Sequence, residues 1–172
     1  PLPPDFTSLY RLFLRTSAAS VLHQPRATRY LRKLWRPTFE DAARATSQLQ
    51  NQSHNRNELE RWLESWHLRI DNTLALLFTS SKTKGIPHQV TRNLALLFRS
   101  EQARLDTQRF PQWKPQLPLD SSEYKPGTPE LPERRRREEA GALDALQDVV
   151  RMAEGRAQLT FGKIRVGRRF RN

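Results

Sequence analysis

Apolar residues at Phe6, Leu9, Tyr10, Phe13 and Leu14 follow the i, i+3, i+4, i+7, i+8 spacing that lines one face of a helix. Asp5 is placed to cap its start, and Pro25 ends it near His23 while suiting the first position of a second helix. That helix presents Ala27, Tyr30, Leu31, Leu34 and Trp35 on one side until Pro37 interrupts it. Thr38 with Asp41 loosely resembles a capping box, so a further short helix carrying Phe39, Ala42 and Ala43 is expected to reach about Leu49. Residues 47–57 (SQLQNQSHNRN) lose the apolar period and read as a loop, because Asn, Gln and Ser compete with helical backbone bonding. Asn57 with Glu60 is the strongest start signal in the chain. Behind it Leu59, Trp62, Leu63, Trp66, Ile70, Leu74, Leu77 and Phe78 keep helical period without a break, which places Trp62 and Trp66 in a core.

After the turn SSKTKG, Pro87 opens a fourth helix with Val90, Leu94, Leu97, Phe98 and Leu105. The strings TLALLF (73–78) and NLALLF (93–98) are alike, as Leu- and Ala-rich core helices become by convergence; they do not make a repeat. Pro111, Pro115, Pro118, Pro126, Pro129 and Pro132 then remove backbone donors and favour an extended strap. Beyond it Arg134, Arg135, Arg136 and Arg137 open a polar helix with Leu143, Leu146, Val150 and Ala153 on one side, ending near Gly155. The last stretch, QLTFGKIRVGRRFRN, reads as an extended basic tail. The fold class is therefore all-α: a helical bundle over 5–80, an additional helix within 81–110, a Pro-rich linker over 111–132, and a basic helix and tail over 133–172.

Composition narrows the chemistry. None of the 172 residues is Cys, which removes disulfide frameworks, Cys-ligated metals and Cys nucleophiles. Six glycines argue against phosphate-cradling loops, and no nucleophile elbow, P-loop or dinucleotide fingerprint is present, so catalysis is not expected. His23, His54, His67 and His88 lack metal-ligand spacing. No stretch approaches the roughly 20 apolar residues of a membrane span. The net charge of +12 is uneven: residues 1–39 hold seven basic residues and one acid, residues 133–172 hold eleven and six, and the middle is nearly neutral. Two basic ends attract polyanions, whether RNA, anionic lipid or an acidic protein.

Leu9-Tyr10-Arg11 at the start of the first helix, Arg15 one turn later, and the arginine-rich RATRYLRKLWR (26–36) before a long amphipathic third helix resemble the LYR-motif family of small mitochondrial proteins. The resemblance covers residues 6–80, and departs from the family at the polar 47–57 insertion and at Trp35-Arg36-Pro37. It implies an antiparallel three-helix bundle, a mitochondrial-matrix setting and the mitochondrial acyl carrier protein as partner. On that basis Leu9, Tyr10, Arg11, Arg15, Arg29, Arg32, Lys33 and Arg36 would face the partner's acidic helix. Phe13, Leu34, Ile70, Leu74 and Leu77, with Leu9 beside them, would line an apolar slot for the acyl chain on its 4'-phosphopantetheine. No cofactor is implied as bound directly, and no metal. The residues alone leave two other readings open: Tyr10 as a core aromatic with a wet hydroxyl, and the arginines as a solvated helix face. PLPPDF is not an Arg- and Ser-rich presequence, so import is expected to use an internal signal or a segment outside this sequence.

Residues 81–172 have no counterpart in the minimal fold of that family. Arg134–Arg137 with Lys163, Arg165, Arg168, Arg169 and Arg171 form the kind of arm that neutralises phosphates without reading sequence, and Phe161 and Phe170 are placed to stack on bases. The expectation is a component of the mitochondrial ribosome whose arm grips ribosomal RNA among ribosomal proteins. The rival expectation is an assembly factor or accessory subunit of a respiratory-chain complex or of the iron–sulfur cluster machinery, with the arm on acidic protein or cardiolipin.

Overall fold

The computed structural model describes residues 2–50, 56–109 and 133–163, together with 115, 116 and 118; side chains are described outside 104–109, 133–140 and 143. Among the described residues there are five helices and no strand: α1 (Pro4–Ser20), α2 (Pro25–Gln50), α3 (Arg56–Lys82), α4 (Ile86–Arg109) and α5 (Glu133–Ala157). None of them is long and apolar enough to cross a membrane. The expected strap over 111–132 lies outside the described residues apart from three positions.

The first three helices pack on one another and α4 lies against α2 and α3. Helices α1 and α3 run in the same direction, with Phe6 stacked on Trp66 at one end and the Ser80 hydroxyl donating to the Ser20 carbonyl at the other. Helix α2 returns between them, so Phe39 late in α2 meets Phe6, Tyr10 and Phe13 early in α1. Phe13, Leu31, Leu34, Trp35, Ile70 and Leu77 form the dry centre. At the far end the α1 C-terminus is satisfied from two helices. Ser20 O accepts from Ser80 Oγ at 3.1 Å and from His88 Nδ1 at 3.0 Å, which puts the ring proton on Nδ1. Ser80 Oγ also bonds Thr91 Oγ1 at 2.7 Å, all within the core.

Several local expectations are corrected. The residue preceding α1 is Pro3, no side chain caps it, and Asp5 sits inside the first turn, where its charge still meets the helix dipole favourably. Helix α1 ends at Ser20, not His23; Leu22 and His23 take left-handed backbone angles and His23 N bonds Ala18 O. Pro37 does not end α2, and Thr38 and Asp41 lie mid-helix, with no capping box. An interior proline costs about 3 kcal/mol. That cost is offset by burial on both sides of it: Leu34 and Trp35 before, Phe39, Ala42 and Ala45 after. Burying one Phe contributes roughly 1.5–3 kcal/mol, and Phe39 adds edge-to-face contacts with Phe13 and Trp66. Residues 47–50 of the expected loop are helical, and Asn57 lies one residue inside α3, where Arg56 Nε and Glu60 Oε1 pair at 2.8 Å. Trp66 is core, but Trp62 is 43% exposed.

The C-terminal end departs furthest from expectation. Helix α5 runs past Gly155 to Ala157 and stops at Gln158, whose positive φ lets Leu159 N reach Glu154 O. Of its expected apolar face, Leu146 and Ala153 are exposed and Val150 is half-buried. Residues 158–163 then lie in the groove between α2 and α3 and are not a free tail. Asn72 Nδ2 donates to Gln158 O, Thr160 N to Thr73 Oγ1, Trp35 Nε1 to Thr160 O, and Lys163 N to Leu34 O. Leu159 is buried and Phe161 packs on the core. Pro37 removes the helical donor to Lys33 O, and the Lys163 N bond falls on the neighbouring carbonyl, Leu34 O.

Candidate functional site

An open groove of about 640 Å³ runs between α1 and α2, lined by Tyr10, Leu14 and Ala18 from α1, by His23 from the turn, and by Pro25, Thr28, Arg29, Arg32, Lys33 and Arg36 from α2. The α1 contribution is one stripe at i, i+4, i+8. The α2 contribution repeats at each turn, so its cations are strung along two turns of helix, about 10 Å.

The walls differ in chemistry. Tyr10 is shared with the interior: its ring lies 4.9 Å from that of Phe39 and packs against the core, and it also borders the groove. Arg32 Nη2 reaches across to Leu14 O at 3.4 Å, a long bond that leaves the rest of the guanidinium fork open. Arg36 Nε pairs with Glu40 Oε1 at 2.7 Å, and that hydrogen bond and charge raise the already very basic guanidinium further. Arg29 and Lys33 are exposed. Such a row of forks matches carboxylates or phosphates presented at a helical repeat.

Of the residues expected to meet an acidic partner, the structure brings Tyr10, Arg29, Arg32, Lys33 and Arg36 to one groove. Arg11 and Arg15 are exposed on α1 and are not among its lining residues, while Leu9 packs against the core. No family model, no curated protein and no solved structure matches the chain. The expected acyl-slot residues are packed on one another: Phe13, Leu34, Ile70 and Leu77 are at most 1% exposed, and Leu74 is half-buried against the same cluster. An alkyl chain reaches them only if the helices part.

Lys163, expected on RNA, has its ammonium on the Asp41 carboxylate. Arg165, Arg168, Arg169 and Arg171 lie outside the described residues, and Arg134–Arg137 form the start of α5 with side chains outside the description. Leu14, Ala18, His23, Pro25 and Thr28 were not foreseen as groove residues. The signal was the 10/14/18 stripe opposite 25/29/32/36, visible only once α1 and α2 are known to be neighbours.

Proposed function

We propose that this chain is an LYR-type mitochondrial adaptor that docks the acidic helix of the matrix acyl carrier protein along the α1–α2 groove. The observation that supports the reading is the row Arg29, Arg32, Lys33 and Arg36 facing Tyr10 across an open channel, with Glu40 paired to Arg36. Carboxylates spaced along a partner helix would find forks at matching intervals, giving fast encounter and a fixed register. The alkyl chain on the partner's 4'-phosphopantetheine would enter the Phe13, Leu34, Ile70, Leu74 and Leu77 cluster only by separating α1 from its neighbours. Docking and chain insertion are therefore distinct steps. In the same proposal the basic chain beyond Lys163, with the arginines opening α5, holds ribosomal RNA in the mitochondrial ribosome.

Charge reversal tests the docking. Arg29→Glu with Arg32→Glu places like charges against the acidic helix and abolishes copurification of the acyl carrier protein; unchanged recovery refutes the groove as the docking face. The rival reading, an assembly factor or accessory subunit for a respiratory complex or the iron–sulfur machinery, draws support from Lys163, whose charge is spent on Asp41 and not on phosphate. A sucrose gradient separates the two: sedimentation with ribosomal subunits supports the first, with respiratory complexes the second. Deletion of 164–172 is the informative truncation, because residues 158–163 belong to the bundle's packing.

A further inference from the structure

Among the described residues α5 is the least covered helix. Of the positions from 141 to 157 whose burial is described, all but Val150 and Glu154 are exposed, among them Leu146, Val149 (57%) and Met152 (67%). Helices in water draw most of their stability from packing an apolar face, and this face has no cover. The C-terminal end of α5 is nevertheless held firmly. Glu154 Oε1 accepts from Phe161 N at 2.6 Å and from Thr160 Oγ1 at 3.3 Å, both in the segment docked between α2 and α3.

The exposed positions keep a heptad register. Ala142, Ala145, Val149 and Met152 follow one another at intervals of three, four and three, the a and d positions of a two-helix seam, with Leu146 and Ala153 along one flank. Continuing the register adds Glu138 at one end and Arg156 at the other, an acid and a base. The stripe is therefore complementary to itself when reversed. An antiparallel copy brings Met152 onto Ala142, Val149 onto Ala145 and Arg156 onto Glu138, and a two-fold axis repeats each pair. Large side chains then meet small ones and opposite charges meet at both ends. A parallel copy would instead set Met152 on Met152, Ala142 on Ala142 and Glu138 on Glu138, which leaves gaps and repulsion. Asp148, at the edge of the seam where it nears its own copy, has its charge balanced within the helix by Arg151 Nη1 at 3.5 Å.

We propose that the exposed face of α5 is a homodimer interface, occupied by α5 of a second copy of this chain in antiparallel register. The docked segment fixes each α5 to its own bundle, so the helices meet already ordered and the two bundles stand at opposite ends of the pair. The seam is short, which makes the dimer reversible, with dissociation in the micromolar range. None of its residues lines the α1–α2 groove, so the dimer stands or falls separately from acyl carrier protein docking.

The test is sedimentation equilibrium of the full chain over a range of concentrations. The expected result is a reversible monomer–dimer equilibrium that Val149→Asp abolishes. Glu138→Arg and Arg156→Glu should each weaken the dimer about tenfold, since each turns two attractive end contacts into repulsive ones, and the two combined should restore native affinity. Because the chain has no Cys, orientation can be read by single thiols. Mixing Ala142→Cys with Met152→Cys should give a disulfide-linked dimer of the two variants on oxidation, and neither variant alone should cross-link. All of these positions are surface ones, and circular dichroism checks that each variant is folded. A monomer at every concentration overturns the proposal, as does assembly that Val149→Asp leaves unchanged. So does a charge-exchanged pair that binds no better than either single variant, or self-cross-linking of Ala142→Cys alone, which would mean parallel helices.

Discussion

Substituting Gly162 by Ala should weaken the whole molecule through one methyl group. Gly162 has φ +84°, and a Cβ there would stand 2.7 Å from Leu34 O and 2.8 Å from Leu34 Cγ. The first contact is with backbone, which cannot swing away. An L-residue in left-handed backbone costs roughly 1–2 kcal/mol. Backing the segment off also lengthens the Lys163 N to Leu34 O bond, now 3.0 Å, worth about 0.5–1.5 kcal/mol. Together the penalty is about 1.5–3.5 kcal/mol, and in a chain of this size that lowers the thermal midpoint by about 3–14 °C. The measurement is a pair of melts by circular dichroism, with Gly155→Ala as the control. Gly155 lies inside α5, where a Cβ meets nothing within 4 Å, so its substitution is expected to be neutral or to stabilise by up to about 1 kcal/mol. Hydrogen exchange at the Trp35 indole, which donates to Thr160 O at 3.0 Å, should accelerate in Gly162→Ala and not in Gly155→Ala. Equal midpoints for the two variants would refute the docked segment as a structural wall.

Other substitutions probe other joints. Thr91→Val removes the hydroxyl 2.7 Å from Ser80 Oγ at a fully buried site and should cost about 1–3 kcal/mol in urea unfolding, with Ser80→Ala in the same background adding less than it does alone. The Asp41 carboxyl is held below its ordinary value, first by the hydrogen bond from Lys163 and also by the charges of Lys163 and Arg44. A depressed carboxyl stabilises the fold above the unfolded value and loses that contribution as pH falls through the folded one. The advantage of the native chain over Asp41→Asn, measured by denaturant midpoint, should be present at neutral pH and be lost only as the pH falls below the ordinary carboxylate range. Ile70→Ala, at the centre of the core, should cost about 2–5 kcal/mol in urea unfolding.

Much of the architecture is legible in the pattern of apolar positions, because each helix buries one stripe: Phe13 in α1, Leu31, Leu34 and Trp35 in α2, Ile70 and Leu77 in α3, Leu94 in α4. What local rules miss is what distant contacts decide. Pro37 reads as a stop, yet the rings of α1 and α3 gather around Phe39 and carry the helix through it. Residues 158–163 read as solvated arm because their partners, Trp35, Asn72 and Thr73, lie 86 to 125 positions away and the bonds are largely to backbone carbonyls, which leave no mark on side-chain pattern. Trp62 and Phe78 continue the apolar period of α3 but face outward, since the period shows which positions share a side and not how wide a side the neighbours cover. For the groove, the arginines of α2 were visible as a cluster. Which α1 residues oppose them depends on how the two helices pair, and there Arg11 and Arg15 gave way to Leu14 and Ala18.

The bond from Trp35 to Thr160 spans 125 positions, which gives the molecule a timetable. At synthesis rates of about 5–20 residues per second, the cleft flanking Trp35 emerges roughly ten seconds before the stretch that closes it. During that interval the nascent chain shows an open hydrophobic seam to its surroundings. A holding chaperone, or a partner recruited early, has its opportunity then, and the window shuts when the last turn of backbone slides into place.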